Sequence, residues 1–333
     1  MPAFKDTDYL FISTRVRALE SNMLTRDRME RMLECRTNED TVRVLVECGY
    51  PDPMDAITMQ TIGAMLAAER KKVFSDLYSC APDPMLIDVF RVKYDYSNVK
   101  VLLKAEAMKE QVDHLLIDLG RVPVQSLSLA IASGEAQGIP AILQRAWREA
   151  REILSSTHNP QLADFVLDRY YFEDLSALAQ EVESPFLAGY VRISIDAANL
   201  RSIVRTLRLG KSTEFLEGVL FSGGNVDRRT ILNAVTSGAS MEELFTSSYM
   251  AAAAHSGTAA MRGGALTQFE RDCDNAIVGY LRTAKYVPFG DAPVVAYLAA
   301  KDLELTAIRI IMAGRFAGLP TDAIQERLRD SYV

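Results

Sequence analysis

Residues 116–134 recur about one hundred residues later, as 220–238. Leu116/Leu220, Gly120/Gly224, Val122/Val226, Ala130/Ala234, Ser133/Ser237 and Gly134/Gly238 coincide, and Leu127 meets Ile231. A period of this kind constrains the fold more than any single motif, because each copy must build a similar unit. The copied stretch reads as a helix stop, a branched apolar residue, then a short helix ending at glycine. Fainter copies lie at Leu24-Thr-Arg-Asp-Arg-Met29 and Leu319-Pro-Thr-Asp-Ala-Ile324. A second motif precedes each copy: Asp95…Asn98-Val-Lys100, Asp196…Asn199-Leu-Arg201 and Glu304…Ala307-Ile-Arg309. Arg15-Val-Arg17, just before Leu24, is a reduced version. Two motifs recurring in order predict three related modules, 1–106, 107–207 and 208–333, with the last half-unit completing the first.

The modules read as helical. Strand-like alternation is scarce, whereas helical spacing with start and stop signals is common. Helices are expected over Tyr9–Leu24, from an Asn38 cap to Cys48, over Asp55–Tyr78, and from a Ser97 cap to Leu119. Asn159-Pro160 and Ser184-Pro185 pair a cap with proline at the first helical position. Ser240-Met-Glu-Glu243 fits a capping box, and Thr321 opens the last helix. Tyr190–Ile195 alternates like a strand but lies between helical runs and is assigned as helix. The small-residue stretch 251–264 is either a tightly packed helix or a flexible connection.

In each repeated motif an acid stands five residues before a base. Facing pairs on one helix are three or four apart. The acid therefore caps or bridges neighbouring modules, or the charges receive a partner. Chemistry finds little else to use. Four cysteines make no C-x-x-C pair and are expected to be reduced, buried thiols; three histidines are too scattered for a metal site. Gly210-Lys-Ser-Thr213 lacks the earlier glycine of a phosphate loop, where Arg205 stands, so Gly210 reads as a helix stop. No catalytic, cofactor or metal residue is assigned. Phe172-Glu-Asp174 and Glu242-Glu243 read as solvated faces, Tyr170-Tyr-Phe172 as packing, and Trp147 as partly buried. A net charge of −7 argues against nucleic acid as a partner. No apolar run is long enough for a membrane span, and Met1-Pro-Ala-Phe-Lys-Asp does not resemble a signal peptide. A cytoplasmic protein is expected.

Tyr9-Leu-Phe-Ile-Ser-Thr-Arg-Val-Arg-Ala-Leu19 resembles the opening of the C-subunit family of V-type and A-type ATPases, the counterpart of the d subunit of the eukaryotic vacuolar enzyme. Asp168-Arg-Tyr-Tyr-Phe-Glu-Asp-Leu175, Asp196-Ala-Ala-Asn-Leu-Arg201, Ala307-Ile-Arg-Ile-Ile-Met-Ala-Gly-Arg-Phe-Ala-Gly-Leu-Pro320, Ile324-Gln-Glu-Arg-Leu328 and Tyr332-Val333 agree with it. The resemblance spans essentially the whole chain. It implies an all-α body of three similar domains in a pseudo-threefold funnel. It also implies a non-catalytic part of the central rotor stalk, peripheral at the inner face of the membrane. The implied partners are the membrane rotor ring and the central shaft of the ATP-hydrolysing head. Ala307 departs from the Asn98/Asn199 pattern, and the small-residue stretch 251–264 stands where the family leads one to expect a more charged connection. The partner-contacting residues expected from these motifs are Arg15, Arg17, Asn98, Lys100, Asn199, Arg201 and Arg309. A generic helical adaptor is the alternative reading, and a nucleotide-dependent enzyme using Gly210-Lys-Ser-Thr213 a remote third.

Overall fold

A computed structural model describes residues 4–53 and 56–333. The expected start of a helix at Asp55 and the reading of Met1-Pro-Ala fall outside the described residues. Within them the protein is all-helical, with no strand. The helices are α1 (Leu10–Glu20), α2 (Arg26–Glu34), α3 (Asn38–Glu47), α4 (Met59–Cys80), α5 (Met85–Met108), α6 (Val124–Ser133), α7 (Ala141–Thr157) and α8 (Pro160–Glu181). They continue as α9 (Pro185–Arg208), α10 (Thr213–Val219), α11 (Arg228–Ser237), α12 (Met241–Phe245), α13 (Ala251–Met261), α14 (Leu266–Arg282), α15 (Asp291–Phe316) and α16 (Thr321–Gln325).

Six long helices close a cycle. α4 packs on α5, α5 on α8, α8 on α9, α9 on α14, α14 on α15, and α15 returns to α4. Three of them, α5, α9 and α15, are amphipathic twice over. Their first halves put Leu86, Ile87, Leu187, Val191, Val294 and Val295 into one shared core. Their second halves each enter a separate satellite core. Val99 and Leu103 join α6, α7 and α8 around Trp147. Leu200, Ile203 and Val204 join α10 to α14 around Phe245 and Phe269. Leu305, Ile308 and Ile311 join α2, α3, α4 and α16, so segments from the two ends of the sequence build one core together.

Local signals explain most boundaries. Asn159 accepts the Gln161 N–H and Ser184 the Leu187 N–H, each beside a proline that needs no partner. Tyr190–Ile195 lies within α9. Gly210, at φ +62°, stops the chain after α9, and Ser212 caps α10 by accepting the Phe215 N–H. Gly210-Lys-Ser-Thr213 is therefore a helix stop followed by a helix cap. The stretch 251–264 is helical over Ala251–Met261, and its small residues have a packing reason. A Cβ on Gly257 would stand 3.1 Å from both Phe269 and Val204.

Other boundaries differ from expectation. α1 ends at Glu20, and Thr37 rather than Asn38 caps α3 by accepting the Asp40 N–H. Ser240 precedes α12 but makes no side-chain cap. Ser97 caps nothing: it is on the exposed side of α5, which starts twelve residues earlier at Met85 and ends at Met108. Buried polar residues in α5 face the irregular segment 110–123, so its sequence reads as if broken. Trp147 is fully buried, and Asp174 is buried rather than solvated. Among the four free thiols, Cys48 and Cys273 are buried while Cys35 and Cys80 are partly exposed.

Candidate functional site

Each repeated acid is buried in its long helix and holds the start of the following repeat by its backbone. Asp95 accepts the Val122 N–H and Asp196 the Val226 N–H, both at 3.2 Å. Glu304 accepts the Leu24 N–H at 2.6 Å, across 280 residues of sequence. The glycines of the repeat follow from this approach. A Cβ on Gly120 or Gly224 would collide with the Asp95 or Asp196 carboxylate. Each acid has a second partner of its own. Arg121 bonds Asp95 at 2.7 Å and also Asp174, Asn225 bonds Asp196 at 2.7 Å, and Tyr50 bonds Glu304 at 2.5 Å.

The repeated asparagines complete the clasp. Asn98 donates to the Ile117 carbonyl and accepts its N–H, at 2.8 and 2.9 Å. Asn199 does the same to Phe221, at 2.9 and 2.7 Å. Both asparagines are buried. Nothing comparable is required of Ala307. The residue five before Leu24 is Leu19, which lies in α1 and whose carbonyl accepts from Asn22. A backbone already bonded in a helix needs no side-chain clasp.

Burial lifts Asp95 and Asp196 above the usual carboxylate range. The Arg121 charge and the Val122 N–H offset part of this for Asp95; Asn225 and the Val226 N–H do so for Asp196. A raised folded-state pKa means that the native protein holds more protons than the unfolded chain just above pH ~3.9. The contribution to stability is fullest below that value and falls as pH rises through the folded value. Urea midpoints measured from pH 3.5 to 7 check this. The stability of the wild type relative to Asp196→Asn is expected to decline with rising pH, whereas parallel curves would contradict it.

Two of the three repeated bases reach from their own helix to the next long helix of the cycle. Lys100 pairs with Asp168 of α8 at 2.6 Å. Arg201 pairs with Glu270 and Asp274 of α14, at 2.7 and 2.5 Å. Burial alone would raise the Glu270 pKa, but Arg201 and Arg205 outweigh it and hold the carboxyl low. Arg309, the third base, is exposed and has no hydrogen-bond or ion-pair partner among the described residues. Near the start of the chain, Arg15 pairs with Asp76 of α4 at 2.7 and 2.5 Å. Arg17 holds Glu20 and the carbonyls of Ala284 and Val287. Of the seven expected contact residues, Arg309 alone has its polar atoms free among the described residues. Asn98 and Asn199 are committed inside, and the other four tie helices together.

Among the described residues, two surfaces lie at opposite ends of α15. Leu10, Phe11, Tyr286 and Phe289 are exposed around the start of α15, Phe11 by 67% and Tyr286 by 90%. Ser13 bonds Gly290 and fixes α1 beside this segment. Sequence reading missed these residues. A usable signal was present, since Leu10 and Phe11 precede the buried stripe Ile12, Ser13 and Val16 of α1. The second surface is a groove of about 610 Å³ near the end of α15, with Arg309, Arg327 and Arg329 among its walls. No helix is long and apolar enough to cross a membrane, and no cluster of metal-ligating side chains occurs, among the described residues.

Residues 12–327 match the family model of the ATP synthase (C/AC39) subunit. The C subunit of the V-type sodium ATPase of Enterococcus hirae is 24% identical over 98% of this chain and 99% of its own length. The C subunit of the A-type ATP synthase of Haloferax volcanii is 26% identical over 96% of both chains, and that of Methanocaldococcus jannaschii 23% over 96% of this chain and 86% of its own. A family model that matches nearly the whole chain, with relatives covered almost end to end, shows the family: the chain belongs to the ATP synthase (C/AC39) subunit family.

Proposed function

We propose that this chain is the non-catalytic central-stalk subunit of a V-type or A-type ATPase. It joins the shaft of the ATP-hydrolysing head to the membrane rotor ring. It transmits the torque that couples ATP turnover to ion transport. It lies at the membrane periphery by holding the membrane sector, and its body is a pseudo-threefold funnel with one satellite core per module.

The observation that carries this reading is α15. One unbroken helix of 26 residues runs from the apolar surface at Tyr286 and Phe289 to the groove at Arg309. At 1.5 Å per residue it spans about 39 Å. A coupling element needs two separate contact surfaces and a stiff path between them. The helical cycle supplies stiffness, since interiors packed to crystal-like density transmit strain. Cross-helix ion pairs at Arg15, Lys100 and Arg201 resist sliding of one helix past another.

The test is affinity purification of the tagged chain from its own membranes in mild detergent, followed by mass spectrometry. Rotor-ring and catalytic-head subunits are expected in fixed ratio with it. Recovery without them, from membranes shown to contain the intact ATPase, would overturn the stalk reading in favour of a helical adaptor of another assembly.

A further inference from the structure

We propose that the groove at the end of α15 seats an amphipathic helix of another polypeptide, with a carboxylate on that helix meeting Arg309. The proposal rests on the stalk reading only for the identity of the partner; the groove and its chemistry stand without it.

The chain offers its own internal comparison. A shift of 108 residues carries the end of α9 onto the end of α15. Arg201 falls on Arg309, Gly210 on Gly318, Thr213 on Thr321 and Leu216 on Ile324. The glycines stop both helices with φ of +62° and +66°, and Leu216 and Ile324 are both buried. The two ends therefore have the same backbone plan. Their fillings differ. After α9, Phe215 stacks edge-on against Phe165 at 5.8 Å, and Arg205 bonds Glu270 at 2.6 Å. A separate hollow of about 330 Å³ lies beside Phe215, between α7, α8 and α10, and no residue of α9 lines it. After α15, the counterpart of Phe215 is Ala323 and that of Arg205 is Ala313. A groove of about 610 Å³ opens there, with Ile310, Ala313 and Leu319 on its walls.

The charges differ in the same sense. Arg201 finds two carboxylates on α14, whereas Arg309 finds none among the described residues. Arg327, also on the groove, is exposed and its side chain has no partner there either. Glu270 lines the groove but is already held by Arg201 and Arg205. The groove thus lacks two things: a free carboxylate for Arg309 and Arg327, and an apolar side chain seated against Ile310 and Leu319. A helix presenting an acid three or four residues from an apolar anchor provides both on one face. Such charge complementarity fixes register and partner choice more than raw affinity.

A photo-crosslinking amino acid placed at Leu319 in the full-length chain, expressed in its own cells, tests this. The expected product is a crosslink to a segment of another polypeptide with acid and apolar residues at helical spacing. Ala313→Phe, which puts an aromatic ring on the wall of the groove, should lower crosslinking at least tenfold. Arg309→Glu should do the same, and Arg309→Lys should retain most of it. Circular dichroism and melting of each purified variant establish that it is folded. If the crosslinked helix belongs to a protein outside the ATPase, the groove stands and the stalk reading falls. If no polypeptide is captured, or only a second copy of this chain, while the chain assembles with ATPase subunits, the groove proposal is overturned. It is overturned equally if folded Ala313→Phe and Arg309→Glu crosslink as the wild type does.

Discussion

Glu304→Ala is expected to destabilise the protein by about 3–5 kcal/mol, the range for removing one member of a buried ion pair. Glu304 is 6% exposed and serves three donors at once. It accepts from the Leu24 N–H, from the Tyr50 hydroxyl at 2.5 Å and from Lys301 at 2.7 Å. Without it, the buried Lys301 ammonium keeps only Glu69, at 3.5 Å, and the Tyr50 hydroxyl and ring. The Leu24 N–H is stranded, which adds the desolvation cost of an unsatisfied backbone donor. The loss should be regional. Hydrogen exchange in α2 and α3 should quicken far more than in α7 or α8, because the carboxylate joins the satellite core built from both ends of the sequence. Glu304→Gln keeps an acceptor but loses the charge opposite Lys301, so it should lie between the two. Urea unfolding of Glu304→Ala within about 0.5 kcal/mol of wild type, the scatter of ordinary surface substitutions, with unchanged exchange, would show that the clasp contributes nothing.

Trp147→Ala should cost about 3–5 kcal/mol as well, by a different route. Trp147 is fully buried, with Leu143, Ala146 and Ala150 of its own helix in the same core and Val99, Leu127 and Leu167 around them. Truncation removes most of the largest side chain in that core and leaves a cavity that the surrounding helices fill only partly. α7 packs extensively on α8 and also on α5, so loosening it should speed exchange in α6 and α7 first. Central residues of α15 such as Ala300 and Leu305 should stay protected. Trp147→Phe retains an aromatic body and should lose less than half as much. Uniform loss of protection through all four cores would instead mean that the satellites do not unfold separately.

The repeat was legible in the sequence because its cause is chemical. A buried carboxylate needs donors, and a glycine must let it approach, so Asp95 with Gly120 and Asp196 with Gly224 leave a spaced signature. The acid–base spacing of five was legible for a related reason. The acid turns toward its own clasp and the base toward the next long helix, which is why the two do not pair with each other. The start of α5 was hidden because its interior carries Asp95 and Asn98, polar residues that mimic a helix boundary while facing the segment they hold. Asp174 was misread by the same logic: its carboxylate lies in an acidic run yet meets Arg121 at 2.6 Å. The free groove beside Arg309 was invisible to residue reading alone. Arg201 and Arg309 look alike in sequence, and only the acids opposite Arg201 distinguish them. Large apolar residues off a buried stripe, as at Leu10 and Phe11, are legible only after the stripe itself is known.

The shared core of Leu24–Leu66 and Leu305–Ile324 also sets a timetable for the ribosome. The first half of that core emerges early, with Met29, Met32, Leu33 and Leu45 all destined for burial. Its other half follows about 240 residues later, which at roughly 5–20 residues per second is a wait of about 12–50 s. The satellites around Trp147 and Phe269 have local sequence to close on and can fold in that interval. The early segment cannot, and through that time its methionines and leucines are a target for chaperones or for another nascent copy.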